Sequence, residues 1–590
     1  MSDAKKKAEE FLNRERAFRL GELVTEAFHL KTETLSQTAA RDLPGAIRLL
    51  QWVDDDIPPA MERVLRQDSF SRLGEAFGEA MQAGKRIFFT GCGSTGRLSI
   101  LLEAAWRLFW RQLKRAHPEI AAKLPDMEDR VFSVMAGGDF ALIKAVEGYE
   151  DFPDFGRYQL RERGVRSDDV VVAITEGGET SFVIGTAWEG LDAGANVFFV
   201  YNNPTELLCR HVKRSREVIE EPHITKLDLT TGPMAITGST RMQATTAELF
   251  VVGSALEMAL VHFLRKSLAP AQVEQLGLTE QKPHDYLRRL SELIEQLSSP
   301  EVIDALTRAT EFEENIYRRK GLVTYLADAF LLDILTDTTE RSPTFMLPPF
   351  RKCDDDRSPI SWAFVKNPFH ITERAWQELL QREPRGLDWS HDIYEELKAP
   401  VILQAKPPKL DNSEIYKFRI GNEPDRSRTD APDSALIAVA VGEEMDHPTI
   451  KALKEFGACY KKIAALSIGS EDTVPGIDDT FRFAYTPPDS PLQLWHHLAV
   501  KLILNTLSTA TMVRMDRVIG NAMVWLSPSN KKLIDRGSRL IAQQTGCSYD
   551  RACIALHEAI EEVEAGQQQG QEVSSPVALA IKRLQGSQSR

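Results

Sequence analysis

The sequence has few cysteines, and their spacing forms neither a disulfide framework nor a zinc site. Six cysteines are scattered over 590 residues, and only Cys547 and Cys553 lie near each other, on a stretch that we predict to be helical. Small secreted domains and zinc modules carry cysteines at a much higher density. We therefore expect a reducing, cytoplasmic environment, no structural metal and no cofactor.

Positive charge is also scarce, because 72 Lys and Arg stand against 86 Asp and Glu, which gives a formal net charge of −14. Such a surface does not attract nucleic acid or an anionic membrane. The N-terminus MSDAKKKAEEFLNRER is charged rather than apolar, and we see no apolar run of membrane-spanning length. We expect no nucleic-acid and no membrane partner. A small phosphorylated ligand needs only local positive charge and is not excluded.

The chain does contain a repeated alternation of strand-like and helical stretches. Apolar runs typical of buried strands lie at Arg86–Thr90, Val131–Met135, Asp169–Ile174 and Asn196–Tyr201, and again at Leu322–Leu326, Ser434–Val441 and Lys462–Ile468. This alternation predicts an α/β fold with two doubly wound parallel sheets, each carrying its ligand site at the carboxyl ends of the strands. We also predict that Asp139 caps a helix over FALIKAVEGYED.

The predicted organisation has four parts. A helical segment covers residues 1–60, the first α/β unit covers 61–270, and the second covers 271–515. A polar, proline-rich insertion interrupts the second unit at about 348–433, and a helical region follows over 516–590.

The stretch RIFFTGCGSTGRLSILLEAAW is the strongest local signal. A strand leads into a turn with Gly91, Gly93 and Gly96, and a helix follows from about Arg97. Glycines let a ligand approach the backbone, and the first turn of a helix offers unpaired N–H groups and a favourable dipole to an anion. The hydroxyls of Ser94 and Thr95 favour a phosphate site over a turn that needs glycine for geometry alone. No Walker lysine follows, and we do not favour a dinucleotide site.

The second unit has a degenerate version of this loop. It reads LADAFLL, with alanines in place of the first two glycines and no hydroxyl. We therefore expect one competent anion site per chain, in the first unit.

Four motifs together resemble the sugar isomerase (SIS) domain superfamily. They are the loop above, AGGDFALIKAVEGYED, ITGSTRMQATTAEL and KLILNTLSTATMV. Within the superfamily the chain is similar to the branch that holds N-acetylmuramic acid 6-phosphate etherase and glucokinase regulatory protein. Two SIS domains followed by a C-terminal helical lid are closest to the plan of the regulatory protein. The resemblance implies a three-layer α-β-α arrangement for each SIS domain.

The resemblance also implies binding residues for a phosphorylated sugar. Gly93, Ser94 and Thr95 match the first phosphate loop of the branch, and Gly178, Glu179 and Thr180 match the second; Ser239 and Lys501 complete the predicted set. The chain departs from the etherase at Gly177 and Glu179, where that enzyme has serine and arginine, and at Gln243, where both relatives have lysine. A carboxylate beside a phosphate is repulsive unless a cation intervenes.

Two carboxylates perform the etherase reaction, one as the base beside the sugar carbonyl and one as the acid at the departing lactyl oxygen. The resemblance assigns the base to Glu150. The position of the acid is Ala105 in the first unit, but the motif TTERSPTF of the second unit places Glu340 there. We therefore predict one composite site in which Glu150 and Glu340 face the same cavity.

Three functions remain open at this stage. The first is binding of a hexose or amino-sugar 6-phosphate between the two SIS domains and the lid, as in the regulatory protein, with a sugar kinase as a possible partner. The second is a lyase of the etherase type, which eliminates lactate. Aldose–ketose isomerisation is a third function, supported by superfamily analogy alone.

Overall fold

The computed structural model describes residues 3–15, 18–146, 148–442, 448–469, 476–568 and 574–588. Two five-stranded parallel sheets, with helices packed against them, organise these residues. The predicted α/β fold with two doubly wound sheets is confirmed.

The first sheet has the strand order β2-β1-β3-β4-β5, and every pairing is parallel. Its strands are β1 (Ile87–Gly91), β2 (Val131–Met135), β3 (Val170–Thr175), β4 (Asn196–Tyr201) and β5 (Ile224–Asp228). All residues of β1 and β3 are buried, because helices cover both faces of the sheet.

The second sheet repeats the same topology. Its strands are β6 (Val323–Leu326), β7 (Ala363–Lys366), β8 (Ala435–Val441), β9 (Lys462–Ile468) and β10 (Thr480–Phe483). The order is β10-β9-β8-β6-β7, again all parallel. Counted from the first strand of each unit, both sheets have the order 2-1-3-4-5, so the two units are copies of one architecture.

Thirteen helices of the described residues lie in the N-terminal part and the first unit, before, between and after the strands of the first sheet. They are α1 (Asp3–Arg14), α2 (Leu35–Arg41), α3 (Leu43–Asp54), α4 (Ile57–Leu65), α5 (Asp68–Gln82), α6 (Ser94–Ala116), α7 (Pro118–Ala121), α8 (Pro153–Glu162), α9 (Ser181–Asp192), α10 (Thr205–His211), α11 (Lys213–Glu220), α12 (Gln243–Ser267) and α13 (Pro270–Gln275).

The remaining helices belong to the second unit and the C-terminal region. They are α14 (Pro283–Leu297), α15 (Pro300–Arg318), α16 (Leu331–Phe345), α17 (Thr372–Leu380), α18 (His391–Glu396), α19 (Val401–Ala405), α20 (Asn412–Tyr416), α21 (Arg426–Thr429), α22 (Pro448–Phe456), α23 (Leu494–Arg514), α24 (Lys531–Thr545), α25 (Tyr549–Gln568) and α26 (Pro576–Gln588).

Helix α12 is long and apolar enough to cross a membrane, contrary to our expectation that no such run exists. In the folded chain, however, 89% of its most apolar window is buried inside the protein. Its side chains belong to the large apolar cluster that also includes residues of β1, β8 and α24. The apolar length of α12 therefore reflects a core position.

The stretch 348–433 is more than an insertion, because it contributes β7 to the edge of the second sheet. It also packs on the first unit. Arg382 forms ion pairs with Asp139 and with Glu103, and Trp389 stacks on Tyr149 with ring centroids 5.8 Å apart.

The predicted helix over FALIKAVEGYED is wrong in most of its length. The structure has a single 3-10 turn at Asp139–Leu142, and residues 143–146 and 148–150 are irregular. The carboxylate of Asp139 accepts hydrogen bonds from Arg382 and from the backbone N–H of Arg385, so it does not cap a helix. A contact with a distant segment replaces the local helix here.

Candidate functional site

The glycine loop between β1 and α6 forms as the sequence predicts. Gly93 has φ 56°, a conformation that favours glycine, and it precedes the first residue of α6, Ser94. The Thr95 hydroxyl accepts a hydrogen bond from the N–H of Cys92 and donates to the carbonyl of Cys92, each at 2.9 Å. Thr95 is buried and shapes the loop, so its hydroxyl is not free for a ligand. Among the described residues, nothing bonds the Ser94 hydroxyl.

A cavity of about 250 Å³ opens above this loop. Three parts of the chain line it: the loops after β1, β2 and β3 with residues 238–241, the end of α16, and the segment that leads into α24. Its walls include the predicted residues Gly93, Ser94, Glu150, Thr180 and Ser239.

The cavity wall carries four cations, two from the first unit and two from α24. Arg97 and Arg241 come from the first unit, and Lys532 and Arg536 come from α24. Each lies within ion-pair distance of a carboxylate: Arg97 of Glu340 at 3.9 Å, Arg241 of Asp337 at 3.1 Å, Lys532 of Glu179 at 2.6 Å and Arg536 of Glu26. The carboxylates therefore hold the four cations in place and partly neutralise their charge.

Glu150 reaches the cavity from the turn after the 3-10 segment. Its Oε1 accepts a hydrogen bond of 2.6 Å from Asn530 Nδ2, and its Oε2 lies 3.4 Å from the thiol sulfur of Cys92. Burial and the nearby carboxylate raise the pKa of the Cys92 thiol well above its usual value. The thiol thus stays protonated and can donate its hydrogen to Glu150.

A second carboxyl group, Glu176, lines the same cavity. It directly follows the end of β3, and its side chain is buried. Burial raises its pKa to about 7. The hydroxyl of Thr245, 3.4 Å from Oε1, acts in the opposite direction but does not outweigh the effect of burial. Sequence reasoning missed Glu176; the signal available was an acidic residue at the carboxyl end of a buried parallel strand.

The second predicted phosphate loop contributes only in part. Thr180 lines the cavity, whereas Gly178 and Glu179 do not. Burial alone would raise the pKa of Glu179, but Lys532 and Arg214 outweigh that effect and lower the pKa to about 2. Because two cations compensate this carboxylate, the repulsion that the sequence led us to expect at a bound phosphate is reduced.

Glu340 and Lys501 do not line the cavity that Glu150 lines, contrary to prediction. Both lie in a neighbouring pocket of about 40 Å³, which shares Ser94, Arg97 and Arg241 with the larger cavity. Glu340 is buried against Arg97 and not exposed to solvent.

Lys501 is occupied by the protein itself. Four acceptors lie 2.8 to 3.1 Å from its Nζ, and together they use its three N–H donors: the carbonyls of Arg241 and Met242, the Thr246 hydroxyl and the amide oxygen of Asn505. Burial lowers its pKa to about 8. A lysine with four such partners holds α12 and α23 together, so it is not available to a ligand.

The corresponding loop of the second unit lacks the features of the first. Phe330 stands in a left-handed conformation at the start of α16, where the first unit has Gly93. The carboxylate of Asp328 accepts a hydrogen bond of 2.8 Å from Asn367. The expectation of one anion site per chain stays a prediction.

The sequence also did not predict three further residues of the site, Asn530, Lys532 and Arg536. All three line the cavity from the start of α24. The available signal was the cluster SNKKLIDR, in which an asparagine precedes a helix that begins with cations. Asn530 caps α24, since its side chain accepts from the N–H of Leu533.

Comparisons with known proteins found a family model and curated relatives that this chain resembles. Residues 72–189 match the family model of the glucokinase regulatory protein N-terminal SIS domain. An N-acetylmuramic acid 6-phosphate etherase of Clostridium acetobutylicum is 28% identical over 290 residues, which is 49% of this chain and 85% of the relative. The etherase of Gloeobacter violaceus is 27% identical over 47% of this chain and 83% of the relative.

The fold was also compared with solved structures, one of which is similar over most of the chain. The C-terminal domain of glucosamine-fructose-6-phosphate aminotransferase from Francisella tularensis covers 79% of this chain and 96% of its own length, at 12% identity and a TM-score of 0.42.

Proposed function

We propose that this chain is a SIS-superfamily protein of the branch shared by N-acetylmuramic acid 6-phosphate etherase and glucokinase regulatory protein, and that its cavity binds a hexose or amino-sugar 6-phosphate. One observation carries the proposal: the Ser94 hydroxyl, which bonds nothing among the described residues, and the first turn of the 23-residue helix α6 open into a cavity of about 250 Å³. A helix N-terminus favours a phosphate group through its unpaired N–H groups and its dipole.

The cations of the wall support the same ligand class. Arg97, Arg241 and Lys532 lie around the loop, and each is fixed by a carboxylate, so little side-chain entropy is lost on binding. Thr180 and Ser239 supply hydroxyl groups for the sugar.

Thermal-shift titration with glucose, fructose and amino-sugar 6-phosphates tests the proposal. A ligand that binds only the native state should raise the melting temperature of the protein in a concentration-dependent way. Ser94→Ala should lose most of this shift. Asp328→Ala, in the corresponding loop of the second unit, is the matched control and should keep it. A shift that survives Ser94→Ala and disappears in Asp328→Ala would place the site in the other unit.

A lyase of the etherase type is the second candidate, and the relatives favour it over a purely regulatory function. Elimination of an ether needs a base for the proton beside the carbonyl and an acid for the departing oxygen. Glu150 and Glu176 line one cavity, and a pKa of about 7 keeps a substantial fraction of Glu176 protonated at neutral pH. We assign Glu150 as the base and Glu176 as the acid. Glu340, the acid that the resemblance implies, is the alternative.

Release of lactate from N-acetylmuramic acid 6-phosphate tests this candidate. We expect Glu150→Gln and Glu176→Gln each to lower the rate at least about 100-fold, the usual contribution of general acid–base catalysis. Loss of activity in Glu340→Gln with normal activity in Glu176→Gln would assign the acid to Glu340. Wild-type protein that releases no lactate at high concentration leaves binding as the function. The sugar-kinase partner stays a prediction.

A further inference from the structure

A second pocket, far in sequence from the loop of Ser94, collects positive charge in a protein that is acidic as a whole. It has a volume of about 400 Å³ and lies beside β7. Five cations line it, Arg351, Lys352, Arg419, Arg426 and Arg428, together with one carboxylate, Asp425.

Among the described residues, most of these cations form no direct ion pair with a carboxylate. Lys352 pairs with Glu414, but among the described residues Arg351, Arg419, Arg426 and Arg428 form no ion pair. The Asp425 carboxylate instead accepts hydrogen bonds from the N–H and hydroxyl of Ser427. Like charges that converge on one concave surface raise its positive potential and attract anions.

The protein holds the side chain of Arg428 in a fixed position in this pocket. It is buried and donates to the carbonyls of Val323, Ser361 and Trp362 and to the Thr324 hydroxyl. Carbonyl groups fix the guanidinium without cancelling its charge. Burial lowers its pKa to about 10, so it still carries a full positive charge at neutral pH.

The location separates this pocket from the site described above. The partners of Arg428 lie at the amino ends of β6 and β7, whereas ligands of doubly wound sheets bind at the carboxyl ends of the strands. The pocket shares no lining residue with the cavity of Ser94.

We propose that this pocket binds a small ligand with two or more phosphate groups, at a site separate from the cavity of Ser94. Arg351, Arg419 and Arg426 line the pocket, and a guanidinium can hold two phosphate oxygens at once. Ile360 and Phe364 form an apolar wall that accommodates the organic part of the ligand. The proposal does not depend on the function of the first site.

Isothermal titration with inorganic pyrophosphate as the probe tests the proposal on the full chain. Arg419 and Arg426 are exposed, so Arg419→Ala with Arg426→Ala should leave the fold intact. We expect this double variant to bind pyrophosphate at least 10-fold more weakly than the wild type. Arg72→Ala with Arg115→Ala removes two exposed arginines elsewhere and should bind as the wild type does.

A competition separates the two sites. Pyrophosphate should bind with the same affinity in the presence of saturating glucose 6-phosphate and in a Ser94→Ala variant. Displacement of pyrophosphate by glucose 6-phosphate would overturn the proposal, and so would equal losses in the two double variants or no binding to the wild type. Failure of glucose 6-phosphate to bind concerns only the function proposed for the first site.

Discussion

At the scale of single residues, the environments of Glu176 and Glu179 show why two carboxylates of one loop behave differently. Glu179 meets Lys532 and Arg214 and stays ionised, with a pKa lowered to about 2. Glu176 is three residues earlier and has no cation within ion-pair distance among the described residues, so burial dominates and raises its pKa to about 7. Glu179 is therefore a permanent negative charge, whereas Glu176 can gain or lose a proton near neutral pH.

Glu176 should make the protein less stable as the pH rises. A raised native pKa means that the unfolded chain releases the proton first, so stability is full below about pH 4.5 and falls until about pH 7. Glu176→Gln should remove this loss. We expect a free energy of unfolding higher than that of the wild type by about 2–3 kcal/mol at pH 8 and by much less at pH 5.

Chemical denaturation at the two pH values measures this effect. Glu22→Gln, at an exposed position, is the control and should show no such difference between the two pH values. A Glu176→Gln variant whose gain in stability is equal at pH 5 and pH 8 would mean that Glu176 is not the titrating group.

At the scale of elements, the central strands could be predicted from the sequence and three edge strands could not. β1, β3, β4, β8 and β9 are apolar runs, because neighbouring strands and helices surround them. The missed strands β5, β7 and β10 stand at sheet edges. They carry charged residues such as Lys226 and Arg482, which is typical of edge strands and hides them from a search for apolar runs.

The docking of the 348–433 stretch on the first unit should contribute to stability through a buried ion cluster. Arg382 bridges Asp139 and Glu103, and all three side chains are buried. Asp139→Ala leaves Arg382 with part of its charge uncompensated, so we expect a loss of about 3 kcal/mol in the free energy of unfolding.

Urea denaturation of Asp139→Ala, Arg382→Met and the double variant measures the coupling between the two side chains. The double variant should be less destabilised than the sum of the single ones. Asp126→Ala, which breaks an exposed pair with Lys114, should cost less than about 1 kcal/mol. Additive effects at Asp139 and Arg382 would contradict the role of the pair in docking.

At the scale of the whole molecule, ion pairs connect helix α24 of the C-terminal region to the wall of the ligand cavity. Lys532 bridges to Glu179 of the first unit, and Arg536 and Arg539 of the same helix hold Glu26. Removing Lys532 leaves Glu179 with Arg214 alone and makes the cavity more negative.

Lys532→Met should therefore weaken the binding of a hexose 6-phosphate by about 10-fold, through repulsion between Glu179 and the phosphate. A Lys532→Met and Glu179→Gln double variant removes both charges and should regain most of the affinity. Isothermal titration of the single and double variants checks this. If the double variant binds as weakly as Lys532→Met, Lys532 contacts the phosphate directly.

The site was predictable only where a local motif or the family resemblance marks its residues. The loop of Gly93 and Ser94 has a local signature of glycines, hydroxyls and a helix start, and the resemblance supplied Glu150 and Ser239. Asn530 and Lys532 reach the cavity from more than 300 residues away, and only the folded chain brings them there. Lys501 has the residue type of a ligand group, but four acceptors within the protein, which the sequence does not reveal, use the donors of its ammonium group.

The repeated 2-1-3-4-5 sheets have a consequence for how the site responds to dilution. Pro343 and Thr344 of the second unit stand in the cavity wall of the first, on the same polypeptide. A wall shared between separate subunits is lost when the subunits dissociate, whereas covalent linkage holds the two parts at a high effective concentration. The melting temperature and the ligand affinity should therefore be the same at nanomolar and at micromolar protein, as expected of a unimolecular equilibrium.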